Sequence, residues 1–136
     1  MLEIITKTGS DFEPDTKSAY SNSNYVLLSY ILEHIYKKKY SEILTSYIIK
    51  PLQLKNTYFG HSLNNTHEAI SYTFSTDWDP QPNTDASIPM GAGAIQSNAA
   101  DLVKFSDALF NGKIINKESI AKMKTLKNDY GLGLFD

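Results

Sequence analysis

The segment Tyr20-Ser21-Asn22 carries two side chains whose types and spacing suit proton-transfer chemistry. Residues two apart in an extended segment project to the same side, so the Tyr20 phenol and the Asn22 carboxamide can converge on one small volume. A phenol has an unperturbed pKa of about 10, but a neighbouring lysine ammonium favours its anion, which can take a proton from a nucleophile or pass one to a leaving group. The Asn22 amide offers a donor and an acceptor for a substrate amide. We therefore interpret Tyr20 and Asn22 as candidate catalytic residues.

The same triplet also has a purely structural interpretation. Tyr20 can be an ordinary half-buried ring, and Asn22, Ser23 or Asn24 can cap the N-terminus of a helix. The elements around the triplet must decide between the two interpretations.

Two helices are predicted directly after the triplet. From Asn24 to about Tyr36, apolar side chains recur at three- and four-residue steps, the period of one helix face: Leu27, Leu28, Ile31, Leu32 and Ile35. The same period returns from Tyr40 to about Ile49. Pro51 is predicted to close the second helix, because the residue before a proline is pushed out of the α region.

The middle of the chain is predicted to be long and irregular, and the end helical. Residues 56–96 are rich in Asn, Ser, Thr, Asp and Pro, and within them only residues 69–74 have a strand-like pattern. After Ser97, which can serve as N-cap as can Asn98, the predicted helix runs to Gly112 and presents Leu102, Phe105, Leu109 and Phe110 on one face. A last short helix is predicted from Lys117 to about Leu126. These patterns predict a mainly α protein.

Composition limits the class of protein. The 136 residues, 41% of them hydrophobic, can bury one ordinary core. The net charge of -2 and a single short basic cluster, Lys37-Lys38-Lys39, exclude a nucleic-acid partner. The apolar runs are far short of the ~20 residues that span a bilayer, and the first residues lack the pattern of an export signal. With no cysteine and no ligand-like spacing of His34, His61 and His67, we expect no metal and no cofactor.

Several segments, taken in order, resemble the serine β-lactamase and penicillin-binding-protein superfamily, in particular its class C and D-alanyl-D-alanine carboxypeptidase or esterase branch. Residues 12–15 and 20–22 resemble its Phe-x-Pro-Gly turn and Tyr-x-Asn triplet. Four later segments are similar to further motifs of the family: residues 50–59 to Pro-Leu-Gly-Met-x-x-Thr-x-Phe, residues 91–97 to Ala-Gly-Gly-Leu-x-Ser-Thr, residues 101–105 to Asp-Leu-x-x-Phe and residues 129–133 to Tyr-Gly-Leu-Gly. Asp15, Lys37 and Gln53 stand where the family has glycines, so a left-handed backbone is expected at these positions, at a steric cost of roughly a kcal/mol or more for Lys37 and Gln53.

The resemblance implies both a fold and a reaction. Residues 1–136 would form a single partial domain, the helical lobe of the α/β transpeptidase-like fold. The implied enzyme acylates a serine on an amide, ester or β-lactam bond, with Tyr20 and Asn22 acting around a Ser-x-x-Lys pair. Ala92, Gly93 and Ala94 would line the substrate cleft, although a plain tight turn explains these small residues equally well.

The resemblance also implies a substrate class, a cellular location and a tendency to self-associate. The substrate would be a small molecule or a peptidoglycan peptide, and the location the periplasm or cell envelope. Apolar surface that the family's sheet normally covers would favour self-association.

The family's nucleophilic Ser-x-x-Lys and its Lys-Thr-Gly or His-x-Gly strand have no convincing place in this chain. Ser119-Ile120-Ala121-Lys122 and Lys7-Thr8-Gly9 spell two of these motifs on the wrong side of Tyr20, and His61 and His67 lie in a polar loop where solvation is expected. We therefore interpret the chain as a piece of an enzyme that is inactive by itself. Two alternatives remain open: a non-catalytic penicillin-recognising or peptidoglycan-binding module, and a free-standing helical interaction domain.

Overall fold

A computed structural model of the chain describes residues 1–60 and 68–134. Within these ranges most of the regular structure is helical, as the sequence predicts, and the strands are short and form two antiparallel pairs, β1 with β4 and β2 with β3. The elements are α1 (Leu2–Thr8), α2 (Asn22–Tyr36), α3 (Tyr40–Leu44), a π turn (Thr45–Ile49), α4 (Lys50–Leu52), β1 (Tyr58–Phe59), β2 (Tyr72–Phe74), β3 (Trp78–Pro80), a 3-10 turn (Met90–Ala92), β4 (Ile95–Gln96), α5 (Ala99–Phe110) and α6 (Lys117–Lys124).

Helix α2 begins at Asn22, two residues before the predicted start, and its N-cap is Ser21. Ser21 has an extended backbone, and its hydroxyl oxygen accepts a hydrogen bond from the Ser23 backbone N–H at 3.2 Å. The prediction that Asn22, Ser23 or Asn24 caps this helix is therefore wrong. Because Ser21 supplies the cap, the Asn22 side chain is not needed for it.

The face of α2 that packs against the rest of the described chain is not its most apolar face. Val26 and Ser29 are buried, with 5% and 1% of their surface exposed. On the opposite side, Leu28, Ile31 and Ile35 are 53%, 52% and 65% exposed, although the sequence pattern places them on the apolar face. A helix that is apolar on two sides is typical of one with packing partners on both.

Ser29 joins α2 to the 3-10 turn. Its hydroxyl donates to the Tyr25 carbonyl oxygen at 2.9 Å and accepts from the Gly91 backbone N–H at 2.9 Å. A Cβ atom on residue 91 would lie 2.4 Å from the Ser29 hydroxyl oxygen, so the glycine permits this close approach. The two elements are thus fixed to one another by one small polar contact inside the core.

The sequence predicts that Pro51 closes the second helical segment, and this prediction is wrong. Lys50 keeps an α conformation, and the helix continues through Pro51 to Leu52. The wider π turn of residues 45–49 precedes the proline, and a wider turn relieves the clash between a proline ring and the carbonyl four residues earlier. The helix ends at Gln53, which adopts the left-handed conformation.

The prediction of an irregular middle segment is not confirmed. The strand-like residues 69–74 do contain β2, and β1, β3, β4 and the 3-10 turn also lie between residues 56 and 96. The sequence pattern misses these pieces because strands of two or three residues are too short to show alternation.

Helix α5 is capped as predicted by Asn98, whose side-chain oxygen accepts from the Asp101 N–H at 2.9 Å. Its buried residues are Asp101, Ala108 and Leu109. The predicted face is therefore only partly correct, because Leu102 and Phe110 are 55% and 46% exposed. Helix α6 ends at Lys124 instead of Leu126.

The backbone is left-handed at the three positions where the family has glycines: φ is 69° at Asp15, 52° at Lys37 and 52° at Gln53. We expect Lys37→Gly to raise the free energy of unfolding by about 0.5 to 1 kcal/mol, because removal of Cβ relieves more strain than the added chain entropy costs. Urea denaturation measures this change. Lys38→Gly is the matched control, since Lys38 is not among the residues with positive φ. Equal effects of the two substitutions would contradict the strain argument.

Candidate functional site

Tyr20 and Asn22 are joined by a direct hydrogen bond at the N-terminus of α2. The Tyr20 hydroxyl donates to the Asn22 side-chain oxygen at 2.8 Å. This bond uses the phenol proton and the amide oxygen, while the lone pairs of the phenol oxygen and the amide N–H groups take no part in it. Tyr20 is 58% exposed, and its ring lies 5.7 Å from that of Tyr25. The pair therefore presents an acceptor and a donor side by side at the surface.

Tyr20 stands between two open grooves. One has a volume of about 520 Å³ and runs between α1 and the start of α2, past Phe12. The other has a volume of about 630 Å³ and extends from Lys17 across Tyr20 to Leu132. Tyr20 thus lines both grooves. Lys17 is among the residues that line the larger groove.

The C-terminal segment completes the larger groove. Asn128 donates to the Ser18 hydroxyl at 3.3 Å, and Lys127 forms an ion pair with Asp15. These contacts place residues 130–133 along the groove, opposite the Tyr20 segment. Sequence reasoning identified Tyr-Gly-Leu-Gly as a family motif but did not place it beside Tyr20.

Ala92, Gly93 and Ala94 lie elsewhere. Gly93 and Ala94 line a cavity of about 190 Å³ together with Gly60, Ser71, Pro82 and other residues of the middle segment. Neither of the two grooves beside Tyr20 is lined by any of the three residues. The Ser29–Gly91 hydrogen bond nevertheless holds their turn against α2, the helix that Asn22 begins.

Two ionisable groups near these elements have shifted pKa values. Burial raises the pKa of the Tyr40 phenol above its usual range, which keeps this tyrosine neutral. The Ser87 backbone and side chain hydrogen-bond to Asp85 and lower its pKa, which keeps this exposed carboxylate charged.

The two segments that spell family motifs, residues 119–122 and residues 7–9, both belong to helices or their caps. Lys122 forms an ion pair with Glu118 at 2.9 Å. The Ser119 N–H donates a hydrogen bond to the side-chain oxygen of Asn116, the N-cap of α6, at 2.8 Å. Lys7 and Thr8 end α1, and Gly9 is its C-cap, so this segment is the terminus of a helix. His61 and His67 lie outside the described residues.

Residues 1–60 and 68–134 contain no group of three or more His, Asp or Glu side chains arranged to hold a metal ion. In the same part of the chain, no helix has both the length and the apolarity needed to cross a membrane.

The chain is similar to several longer proteins. It is 30% identical over 120 residues to PbpX of Bacillus subtilis, a protein named as a penicillin-binding protein, and this match covers 85% of the chain and 31% of PbpX. Its structure matches a D-stereospecific amidohydrolase from Streptomyces with a TM-score of 0.80 and 28% identity, over 90% of this chain and 40% of that one. The D-amino acid amidase of Ochrobactrum anthropi, in complex with D-phenylalanine, gives a TM-score of 0.73 and 32% identity, over 90% and 39% of the two chains.

The chain thus spans about a third of the length of PbpX and similar shares of the two amide-hydrolysing enzymes. A family model described as Beta-lactamase matches residues 1–132, which is nearly all of the chain. The chain belongs to the Beta-lactamase family.

Proposed function

We propose that this chain supplies the Tyr-x-Asn element of a serine hydrolase that cleaves an amide, ester or β-lactam bond through an acyl-enzyme. The observation that carries the proposal is the 2.8 Å hydrogen bond from the Tyr20 hydroxyl to Asn22, held at the start of α2 between two open grooves. Relatives named for amide hydrolysis and penicillin binding support the reaction class.

In the proposed mechanism, Tyr20 relays a proton and Asn22 holds the substrate. In this step the Tyr20 phenolate oxygen would accept the proton of the attacking serine hydroxyl as the new ester bond forms, which gives the neutral phenol, and the phenol would return that proton to the leaving amine or alcohol as the C–N or C–O bond of the substrate breaks. Asn22 orients the phenol through its oxygen and offers its N–H groups to a substrate carbonyl.

The serine and its lysine would come from chain outside these 136 residues, because no Ser-x-x-Lys precedes Tyr20 in the sequence. Residues 1–136 would then be a partial domain, a helical lobe that packs against a sheet. The exposed apolar side of α2, formed by Leu28, Ile31 and Ile35, is the surface that such a sheet would cover. The Tyr20 grooves would become a closed cleft in the same step.

The proposed substrate class is a small amide or a peptidoglycan peptide. The D-amino acid amidase is complexed with D-phenylalanine, and PbpX is named for penicillin binding, so amides of D-configured residues are the first substrates to test. A cell-envelope location would follow from a peptidoglycan substrate. Ala92, Gly93 and Ala94 would form a wall of the assembled cleft if the 3-10 turn approaches the substrate.

We expect the purified 136-residue chain to hydrolyse a chromogenic cephalosporin, a p-nitrophenyl ester and D-phenylalanine p-nitroanilide no faster than buffer does. A positioned tyrosine and asparagine cannot form an acyl-enzyme without a nucleophile. Ser119→Ala should change nothing, because Lys122 is already paired with Glu118. Steady turnover that Ser119→Ala abolishes would contradict the proposal.

The flanking DNA provides the complementary test. We expect it to encode a Ser-x-x-Lys motif upstream of Tyr20, and the full-length protein to be labelled on that serine by a fluorescent penicillin or a fluorophosphonate. Penicillin binding without covalent labelling or turnover would favour the non-catalytic module instead.

A further inference from the structure

A cavity of about 340 Å³ lies between α3, β4 and the first half of α5. Most of its lining is apolar and comes from Leu44, Ile48, Leu54, Ile95, Leu102 and Phe105. Leu44 and Leu54 are buried, whereas Ile95 and Leu102 are 41% and 55% exposed, so the cavity has a closed floor and an open rim. Pockets of this size with mostly apolar walls are typical of binding sites for small molecules.

Three polar side chains that line the cavity are joined by hydrogen bonds, and we call Thr57, Ser97 and Asp101 the polar corner. The Thr57 hydroxyl donates to Asp101 Oδ2 at 2.9 Å. Because a hydroxyl has a single proton, Ser97 must be the donor in its 2.8 Å contact with Thr57. Both hydroxyl protons are therefore engaged within the polar corner, which leaves acceptor oxygens for a ligand.

One carboxylate oxygen of Asp101 is open to such a ligand. Oδ2 accepts from the Asn56 N–H and the Thr57 hydroxyl, whereas in the described part of the chain Oδ1 accepts no hydrogen bond. Asp101 is only 6% exposed. Among the described residues, however, no side-chain oxygen is both sealed from solvent and without a partner, so Oδ1 must border an open space. The cavity that Asp101 lines is such a space.

The charge balance at the polar corner is negative. None of the described residues that line the cavity is a lysine, an arginine or a histidine. Lys104, one turn further along α5, donates to the Gln53 carbonyl oxygen at 3.1 Å and does not pair with Asp101. The N-terminus of α5 contributes the equivalent of about half a positive charge, which is less than the full negative charge of the carboxylate. A ligand that fits this cavity is therefore apolar at one end and a cationic donor at the other.

We propose that the cavity binds a small primary amine that carries one apolar group, such as phenethylamine. The ammonium group donates to Asp101 Oδ1, and the apolar group lies against the Leu54 and Phe105 walls. The charge-assisted hydrogen bond offsets the desolvation of the ammonium group. Neither Tyr20 nor Asn22 lines the cavity, so the proposal does not depend on the proposed catalytic function.

The first test compares three ligands of similar size on the 136-residue chain. At neutral pH, we expect phenethylamine to bind about tenfold more tightly than phenethyl alcohol, the difference between a charged and a neutral hydrogen bond, and phenylacetate not to bind. Titrations followed by NMR of the Leu and Ile methyl groups measure the dissociation constants and should show shifts at Leu54, Ile95 and Leu102. Absent amine binding, equal binding of the amine and the alcohol, or shifts confined to the exposed methyl groups of α2 would overturn the proposal.

The second test removes the charge of Asp101. In Asp101→Asn, an amide N–H group takes the place of Oδ1 and offers a donor where the ammonium needs an acceptor, so the amine should bind about tenfold more weakly, while the affinity for the alcohol changes little. Asp107→Asn makes the same change at an exposed residue of α5 that does not line the cavity, and it should alter neither affinity. Equal losses in the two variants would assign the effect to the net charge of the chain and overturn the proposal.

The third test leaves Asp101 and its hydrogen bonds in place. Leu102→Lys puts an ammonium group at the rim, where it competes with the amine for the same carboxylate, and we expect about tenfold weaker amine binding. The fold should persist, because Leu102 is 55% exposed and lysine is a good helix former, and circular dichroism verifies this. Val103→Lys adds the same charge at the next residue, which is 69% exposed and does not line the cavity, so amine binding should change little. A folded Leu102→Lys chain that binds the amine as tightly as Val103→Lys does would overturn the proposal.

Discussion

Tyr20→Phe is expected to lower kcat of the proposed full-length hydrolase by about a hundredfold or more, the loss usual for a general acid–base group. The substitution removes one oxygen and leaves the ring, so the contact with the Tyr25 ring 5.7 Å away should persist. Because Tyr20 is 58% exposed, the melting temperature should change little. Steady-state kinetics with a D-amino acid anilide, together with a thermal melt of the same preparation, measure both quantities.

Tyr36→Phe is the matched control for this prediction. It removes the same hydroxyl from the other end of α2, about 21 Å from Asn22 at 1.5 Å per residue, and should leave kcat near normal. Asn22→Ala should lower kcat, because the phenol loses the acceptor that orients it. It should also raise KM, because the substrate carbonyl loses the N–H donor that Asn22 is proposed to offer. Its stability should fall only slightly, since Ser21 caps the helix. Full activity of a folded Tyr20→Phe protein would remove the proton relay from the mechanism.

The helices could be predicted because their signals are local. Regular apolar spacing and a capping side chain are read within one or two turns, so α2, α5 and α6 were located to within about two residues at most ends. The left-handed backbone at Lys37 and Gln53 was also expected, on the basis of the family's glycines. The error at Pro51 has a different origin, because the π turn that accommodates the ring leaves no mark in the apolar period.

The direction in which each helix packs could not be predicted in the same way. The apolar period of α2 is satisfied by Leu28 and Ile31, yet the described chain packs against the side that holds Ser29. A serine is ordinarily assigned to the surface, and only its contact with Gly91, 62 residues away, explains its burial. Long-range pairs of this kind have no periodic signature.

The same distinction between local signals and long-range contacts applies to the candidate site. Tyr20 and Asn22 are two residues apart, so their convergence followed from backbone geometry, and the structure shows them hydrogen-bonded. Their catalytic roles remain predictions. The contribution of residues 130–133 to the groove depends on Lys127 and Asn128 reaching Asp15 and Ser18, more than a hundred residues earlier in the chain, which no local pattern reveals.

Asp101→Ala is expected to lower the free energy of unfolding by about 2 to 3 kcal/mol, because it removes a buried carboxylate that accepts two part-buried hydrogen bonds. Asp101 is only 6% exposed, and its carboxylate accepts the Asn56 N–H at 2.7 Å and the Thr57 hydroxyl at 2.9 Å. It thereby joins the first turn of α5 to the segment after α4, and its charge also stabilises the N-terminus of α5. Urea denaturation of the 136-residue chain measures the loss.

Two further substitutions isolate the cause of that loss. Asp107→Ala removes a carboxylate from the same helix, but Asp107 is exposed and its ion pair with Lys113 spans 3.5 Å in solvent, so the expected change is within about 0.5 kcal/mol. Asp101→Asn keeps the size of the side chain and one acceptor oxygen and should lose about 1 kcal/mol, intermediate between the other two. Equal losses in Asp101→Ala and Asp107→Ala would mean that the hydrogen bonds of Asp101 contribute no more to stability than the contacts of an exposed carboxylate on the same helix. The contact with Asn56 and Thr57 would then not be what holds α5 against the segment after α4.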